Sequence, residues 1–393
     1  MKEVFIVSAK RTPIGGLLGS LSEYSATQLG AITIQNTYES ISLNPEWIDS
    51  VYMGNVLSAG IGQSPARQSS IFSKIPNTKD ATTINKVCSS GMKATILGAQ
   101  QIQIGVDEIV VTGGMESMSN VPHYAYLRKG TKLGGLNFID GMIKDGLWDV
   151  YNDFHMGSAA ELGVKKYGLT REQLDNYALQ SYKKAQEATD QGKFKSEIVP
   201  IQIRKNAENI IVDKDEDIYK LVPEKVSLLK PAFETNGNLT AANSSNLNDG
   251  AAVLLLASKE AVNKYNLKPL AKIVSYADAA QAPEWFTTSP SLAITKALKQ
   301  ANLSLTDVDF FEINEAYASV ILSNQQILDF DLNKVNVYGG AVALGHPIGA
   351  SGARIIVTLL NVLQQEKGKY GVAAICNGGG GSSAIVIENM NFN

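Results

Sequence analysis

Short runs rich in β-branched and aliphatic residues recur along the chain and alternate with longer stretches of helical period. The runs are Val4 to Ser8, Ser50 to Met53, Glu108 to Thr112, Ala251 to Ala257, Ala271 to Tyr276 and Val372 to Ile375. Such alternation predicts an α/β protein in which helices cover sheets. Two stretches share the same order of parts. Cys88-Ser-Ser-Gly91-Met-Lys93 opens a helix leading to the run at Glu108 and then Gly113-Gly114. Gly349-Ala-Ser-Gly352-Ala-Arg354 opens one leading to the run at Val372 and then Gly378-Gly379. A second echo links Val4-Phe-Ile-Val-Ser8 with Ala271-Lys-Ile-Val-Ser275, each at the start of a half. The echoes predict an internally duplicated chain with pseudo-symmetric halves.

From about Val121 to Asn248 the pattern changes. A Gly/Lys/Tyr-rich stretch is followed by an amphipathic helix from Arg171 to Gln191 and a charged segment around Asp213 to Asp217. This reads as an inserted loop domain. The expected division is residues 1–120 with 249–269 for the first half, 121–248 for the insertion and 270–393 for the second half.

Composition narrows the classes of function. A chain of 393 residues, 44% hydrophobic, can bury a large core across two or three domains. With 35 basic and 38 acidic residues the net charge is -3, too small to draw the protein to nucleic acid or an anionic membrane. The apolar start at Val4 is too short for a signal peptide, and no apolar run reaches the roughly 18 residues that span a bilayer. A soluble, cytoplasmic protein without nucleic-acid or membrane partners is expected. The two cysteines stand far apart, with no C-x-x-C or closely spaced histidine pair to suggest zinc.

An isolated cysteine is more often a small buried apolar residue than a reagent. Cys88, however, lies where a strand-like segment gives way to a helix start of small residues. There the partial positive charge and free N–H groups favour a thiolate and can hold an oxyanion. Asn314 follows the apolar run Phe310 to Ile313, a place where capping is commoner than catalysis. His346, one of three histidines, sits among glycines from Gly339 to Gly352, which imply close backbone approach and an available imidazole. Cys376 ends a buried run and leads into Asn377-Gly378-Gly379-Gly380-Gly381. A phosphate-binding loop would also use such glycines, but neither a G-x-G-x-x-G between strand and helix nor a Gly-Lys-Ser/Thr is present.

Seven motifs occur in order: Asn85-Lys-Val-Cys88-Ser-Ser-Gly91, Gly113-Gly-Met-Glu-Ser117, His155-Met-Gly157, Asn248-Asp-Gly-Ala-Ala252, Asn314-Glu-Ala-Tyr317, Gly345-His-Pro-Ile-Gly349 and Cys376-Asn-Gly378. Together they resemble the thiolase family along essentially the whole chain. Asp149-Val-Tyr-Asn152 and Thr240-Ala-Ala-Asn243 are most similar to the potassium-responsive, mitochondrial-type branch that joins two acetyl-CoA into acetoacetyl-CoA. No transit peptide accompanies that likeness.

The resemblance implies a thiolase fold: two βαβαβαββ halves forming an αβαβα core of five layers, with the loop domain inserted. It implies catalysis by Cys88, Asn314, His346, Cys376 and Gly378. His155, Phe233, Ala242, Ser245, Phe286, Ala316 and Tyr317 would line the substrate site, with Met156 keeping the acyl end short. Tyr219, Ala241, Ala242, Ser244 and Val342 match potassium-binding positions. The partners implied are acetyl-CoA, acetoacetyl-CoA and CoA, with no prosthetic group. A homotetramer is implied, built through a loop spanning Val121 to Asp145. Two other activities share much of this pattern: a broad-range 3-ketoacyl-CoA thiolase, separated by pocket depth, and a non-catalytic acyl-CoA or lipid carrier, which would not need all four reactive side chains. A ketoacyl synthase would want a histidine in place of Cys376.

Overall fold

In the computed structural model, which describes residues 1–205 and 208–392, the principal strands are β1 (Val4–Arg11), β2 (Ser50–Gly54), β3 (Asp80–Ile84), β4 (Ile109–Ser117), β5 (Asn248–Ser258), β6 (Ala271–Ala280), β7 (Phe310–Ile313), β8 (Tyr370–Asn377) and β9 (Gly381–Asn389). The main helices are α1 (Ala26–Glu39), α2 (Pro65–Phe72), α3 (Ser90–Gln103), α4 (Met156–Lys166), α5 (Arg171–Asp190), α6 (Ser289–Ala301), α7 (Ala318–Leu328) and α8 (Ile348–Gln365). The strands run β3-β2-β4-β5-β1 and then β6-β9-β8-β7, so the second set repeats the order of the first in reverse. At the outer end of the second set the counterpart of β3 is reduced to a single bridge between Phe311 and Val335. Among the described residues the strands of the two sets pair through Phe5 with Lys272 and Ile6 with Ala271.

The duplication expected from the sequence echoes extends to fine detail. The pairing of β1 slips at Val7, and that of β6 slips at Val274, the matching residue of the echo. Asp49 accepts from the N–H groups of Glu108 and Ile109 at 2.8 and 2.9 Å, and Asp309 accepts from those of Lys369 and Tyr370 at 2.7 and 3.0 Å. Each aspartate thus fixes the entry into the equivalent strand of its own half.

Both faces of β4, β5, β8 and β9 are buried, which explains their long apolar runs. On β5, Ala252, Leu254 and Leu256 face a central layer made by α3 and α8, whereas Val253 and Leu255 face α1. On β8, Ala373 and Ile375 face the same central layer, whereas Val372, Ala374 and Cys376 face α6 and α7. Helix, sheet, helix, sheet and helix therefore stack as five layers, as expected. At the middle, α3 and α8 cross in backbone contact. A Cβ on Gly91 would fall 2.8 Å from the Ala353 nitrogen, and one on Gly352 would fall 2.5 Å from that of Met92. Only glycine allows this approach. It sets the first turns of both helices side by side.

Candidate active site

Cys88 occupies the turn between β3 and α3. The preceding Val87 has φ of 49°, a left-handed conformation that is costly for a β-branched residue. Its neighbours enforce it. Asn85 Oδ1 accepts from the Val87 N–H at 3.0 Å, and Ser90 Oγ accepts from the Lys86 N–H at 2.8 Å while donating to the Val87 carbonyl at 2.6 Å. The turn directs the sulfur of Cys88 to the N–H groups of Cys88 itself and Gly378, both of which favour a thiolate. Burial outweighs them and pushes the thiol up to about 12. The N–H groups thus act in the direction expected from the helix start, and desolvation, which opposes them, is the larger effect.

His346 follows Gly345, whose φ of 105° and contact with Asn248 leave no room for a side chain. The His346 N–H donates to Asn248 Oδ1 at 2.9 Å. Ser351 Oγ directs its proton to the Pro347 carbonyl at 3.0 Å, and His346 Nδ1 lies 2.6 Å from the same oxygen. Nδ1 is thus the donor, and Nε2 keeps its lone pair. Burial, assisted by Arg354, drives the imidazole down to about 3, so the ring is neutral and able to accept a proton. Nε2 lies 3.5 Å from Asn314 Nδ2. The Asn314 carbonyl oxygen is buried without a partner, a position that suits an ordered water.

Cys376 is completely buried near the end of β8, in a cluster with Met156, Ala316 and Tyr317. Burial and the neighbouring Cys88 push its thiol well above the ordinary range.

These groups converge on a cavity of about 670 Å³. Cys88, His346, Gly378 and Met156 lie on its wall, together with His155, Phe233, Ala242, Ser245, Phe286, Ala316 and Tyr317. Every substrate-site residue expected from the sequence is therefore on one surface. Asn314 and Cys376 are set deeper. Phe233 stacks on His155 with centroids 5.1 Å apart and meets Tyr317 edge-on at 5.8 Å, giving a flat apolar side to the cavity. Met156 closes the reacting end, its sulfur 3.8 Å from where a methyl on Gly378 would lie.

Sequence reasoning missed Leu147, Leu247 and Ile348, which line the same wall but carry no signal beyond apolarity. It also missed Tyr182 and Lys220. The Lys220 ammonium lies 2.8 Å from Asp217, which accepts from Asn248 Nδ2 at 2.9 Å. The potassium positions are not brought together as expected. Ala241, Ala242 and Ser244 line the cavity, and Val342 is buried in a cluster with Tyr182. Tyr219 stands apart, half-exposed, with its hydroxyl donated to Asp190. Tyr182, by contrast, lies on the cavity wall with Ala241, Ala242 and Ser244 and in the buried cluster with Val342.

Duplicated halves, a cysteine at the head of a central helix and a glycine-framed histidine define a thiolase. The thiolase N-terminal domain matches residues 4–260 and the thiolase C-terminal domain residues 267–389, so the chain belongs to the thiolase family. It is 52% identical to acetyl-CoA acetyltransferase 2 of Arabidopsis thaliana, over 98% of this chain and 97% of that protein. It is 51% identical to a cytosolic acetyl-CoA acetyltransferase of Gibberella zeae over 98% of each, and 48% identical to the mitochondrial acetyl-CoA acetyltransferase of Mus musculus over 99% of this chain and 92% of that one. A thiolase of Ascaris suum, solved in complex with coenzyme A, superposes with a TM-score of 0.95 at 47% identity, covering 99% and 100% of the two chains. Among the described residues no helix is long and apolar enough to cross a membrane.

Proposed function

We propose that this chain is an acetyl-CoA C-acetyltransferase that joins two acetyl-CoA into acetoacetyl-CoA and CoA, and runs the reverse thiolysis. The observation that carries this reading is the convergence of a cysteine, a neutral histidine and two backbone donors on one cavity closed by Met156, with Cys376 buried beside it. His346 Nε2 takes the proton of Cys88 as the sulfur attacks the acetyl carbonyl. CoA leaves with the proton of Cys376, which leaves Cys376 as a thiolate and Cys88 acetylated. Cys376 then removes an α-proton from a second acetyl-CoA. The carbanion attacks the acetyl group, and the departing Cys88 recovers its proton from His346. One thioester oxygen is stabilised by His346 and a water on Asn314, the other by the N–H groups of Cys88 and Gly378. The raised resting pKa values suit thiols that ionise only as these protons move.

His155, Phe233, Phe286 and Tyr317 form the apolar side against which a pantetheine arm lies, with Ala242, Ser245 and Ala316 on its flank. A potassium ion fits the carbonyls of Ala241, Ala242, Ser244 and Val342 with Tyr182 in place of Tyr219. The buried Ser244 hydroxyl without a partner supports that fit. Bound there, the ion supplies fixed positive charge that stiffens this wall. We place the chain in the cytoplasm as a tetramer of paired dimers, joined through residues 121–145, where Tyr126, Leu133 and Phe138 are exposed. The division into residues 1–120 with 249–269, 121–248 and 270–393 accompanies this reading.

The test is thiolysis of acetoacetyl-, 3-ketohexanoyl- and 3-ketodecanoyl-CoA, with and without potassium. Activity confined to the four-carbon substrate supports the assignment. Comparable activity on the longer ones moves the protein to the broad-range thiolases, and inactivity on all three makes it a carrier.

A further inference from the structure

Glu116, on β4, is a fully buried carboxylate that the reaction above does not use. Four donors converge on it. Oε1 accepts from Asn55 Nδ2 at 2.8 Å and from the Leu57 N–H at 3.2 Å, while Oε2 accepts from the Val56 N–H at 3.1 Å and the Gly349 N–H at 2.9 Å. An amide would turn an NH₂ toward two of these donors, and a protonated acid would turn an O–H toward one. Only the ionised carboxylate satisfies them all, and because burial pushes the group up to about 7 the full set of bonds forms above neutral pH.

The segments that it joins lie on either side of the reacting groups. Val56 and Leu57 pack with Ile348 against Val87 and Cys88. Gly349 belongs to the first turn of α8, three residues after His346, and a Cβ there would fall 2.7 Å from Glu116 Oε2. Among the described residues no other side chain bonds both segments. Elsewhere this contact is made by packing alone, which tolerates small slips. A carboxylate with four directed bonds does not.

We propose that Glu116 is a positioning residue: its carboxylate clamps the Asn55 to Leu57 segment to the first turn of α8 and thereby holds Cys88 and His346 in register for proton transfer. This rests on the reading of Cys88 and His346 as the reacting pair. A small misplacement of reacting groups lowers turnover steeply. It leaves the pantetheine side of the cavity, which carries most of the binding contacts, in place.

The test uses the full-length enzyme in acetoacetyl-CoA thiolysis, well above neutral pH so that the carboxylate form is the one compared. Glu116→Gln keeps the shape of the side chain and removes its charge. Its kcat is expected to fall about tenfold or more, with KM for acetoacetyl-CoA held within about twofold. Glu116→Gln that turns over as fast as the wild type, or that raises KM at unchanged kcat, overturns the proposal. Should that variant not fold, Asn55→Ala removes one donor only and is expected to lower kcat about threefold at constant KM. An unchanged kcat there is equally fatal. Activity surviving in Cys88→Ala would instead overturn the reading of the site, whatever Glu116 does.

Discussion

Ser89 Oγ donates to Asn377 Oδ1 at 2.9 Å, so the residue after Cys88 is fastened to the residue after Cys376. The bond is completely buried and joins the two halves of the chain where their cysteines meet. Ser89→Ala leaves the Asn377 oxygen short of a donor, which costs about 1–3 kcal/mol. Urea unfolding should report that loss. Condensation, which needs both sulfurs in place, should slow more than acetylation of Cys88, as read by single-turnover assays.

Removing each sulfur separates the half-reactions. Cys88→Ala should give no acetyl-enzyme by intact-protein mass spectrometry on mixing with acetyl-CoA. Cys376→Ala should still acetylate at Cys88 but form no acetoacetyl-CoA. Accumulation of acetyl-enzyme in both variants, or in neither, contradicts the assigned roles.

The acidity of Cys88 has a visible signature. A thiol pushed up to about 12 by burial is almost wholly protonated at neutral pH, and its thiolate fraction rises about tenfold per pH unit. Alkylation of Cys88 by iodoacetamide should therefore accelerate without a plateau up to at least about pH 10. A plateau near pH 8 would mean that the N–H groups of Cys88 and Gly378 outweigh burial after all.

His346 should make the fold sensitive to acid. Its folded-state pKa, about 3, lies below the ordinary histidine value. The unfolded chain therefore binds the extra proton first, and stability is lost as pH falls from about 6.5 toward 3. His346→Asn should lose less stability over that window. Equal acid slopes for variant and wild type would show that other groups, such as the lowered carboxylates of Glu216 and Asp278, govern it.

Met156 sets the length of the acyl end. Met156→Ala opens space beside Gly378 without touching Cys88 or His346. Activity on 3-ketohexanoyl-CoA should rise about tenfold relative to acetoacetyl-CoA, in line with the 1–3 kcal/mol carried by one methylene in an apolar pocket. An unchanged preference would place the limit at Leu147 or Ile348.

The sequence made the layering and the duplication legible because both rest on short-range pattern. Runs buried on two faces read as strands, and the matched pairs Val4 to Ser8 and Ala271 to Ser275 carry even the matched slip at Val7 and Val274. The reacting side chains were legible because cysteine and histidine are rare here and glycine marks close approach. What stayed hidden is set by distance along the chain. The four bonds of Glu116 reach Asn55 to Leu57 and Gly349, and no local pattern announces such partners. The helix start that favours a Cys88 thiolate is visible in sequence, whereas the desolvation that opposes it is not. Tyr182 escaped notice as one of two tyrosines on an amphipathic helix, while Tyr219 lies near the same cavity in sequence but points to Asp190.

The place of α8 in the central layer bears on how the chain is made. The first sheet is not complete until β5 threads between β1 and β4, after two-thirds of the chain has been synthesised. Even then part of its inner face awaits α8, which leaves the ribosome among the last segments. A nascent chain therefore exposes Val110 for most of translation, and Leu254 and Leu256 from their synthesis until α8 follows. Long-range pairings of this kind fold slowly and attract aggregation. The yield of native enzyme on overproduction should accordingly depend on chaperone supply and growth temperature more than the stability of the finished fold would suggest.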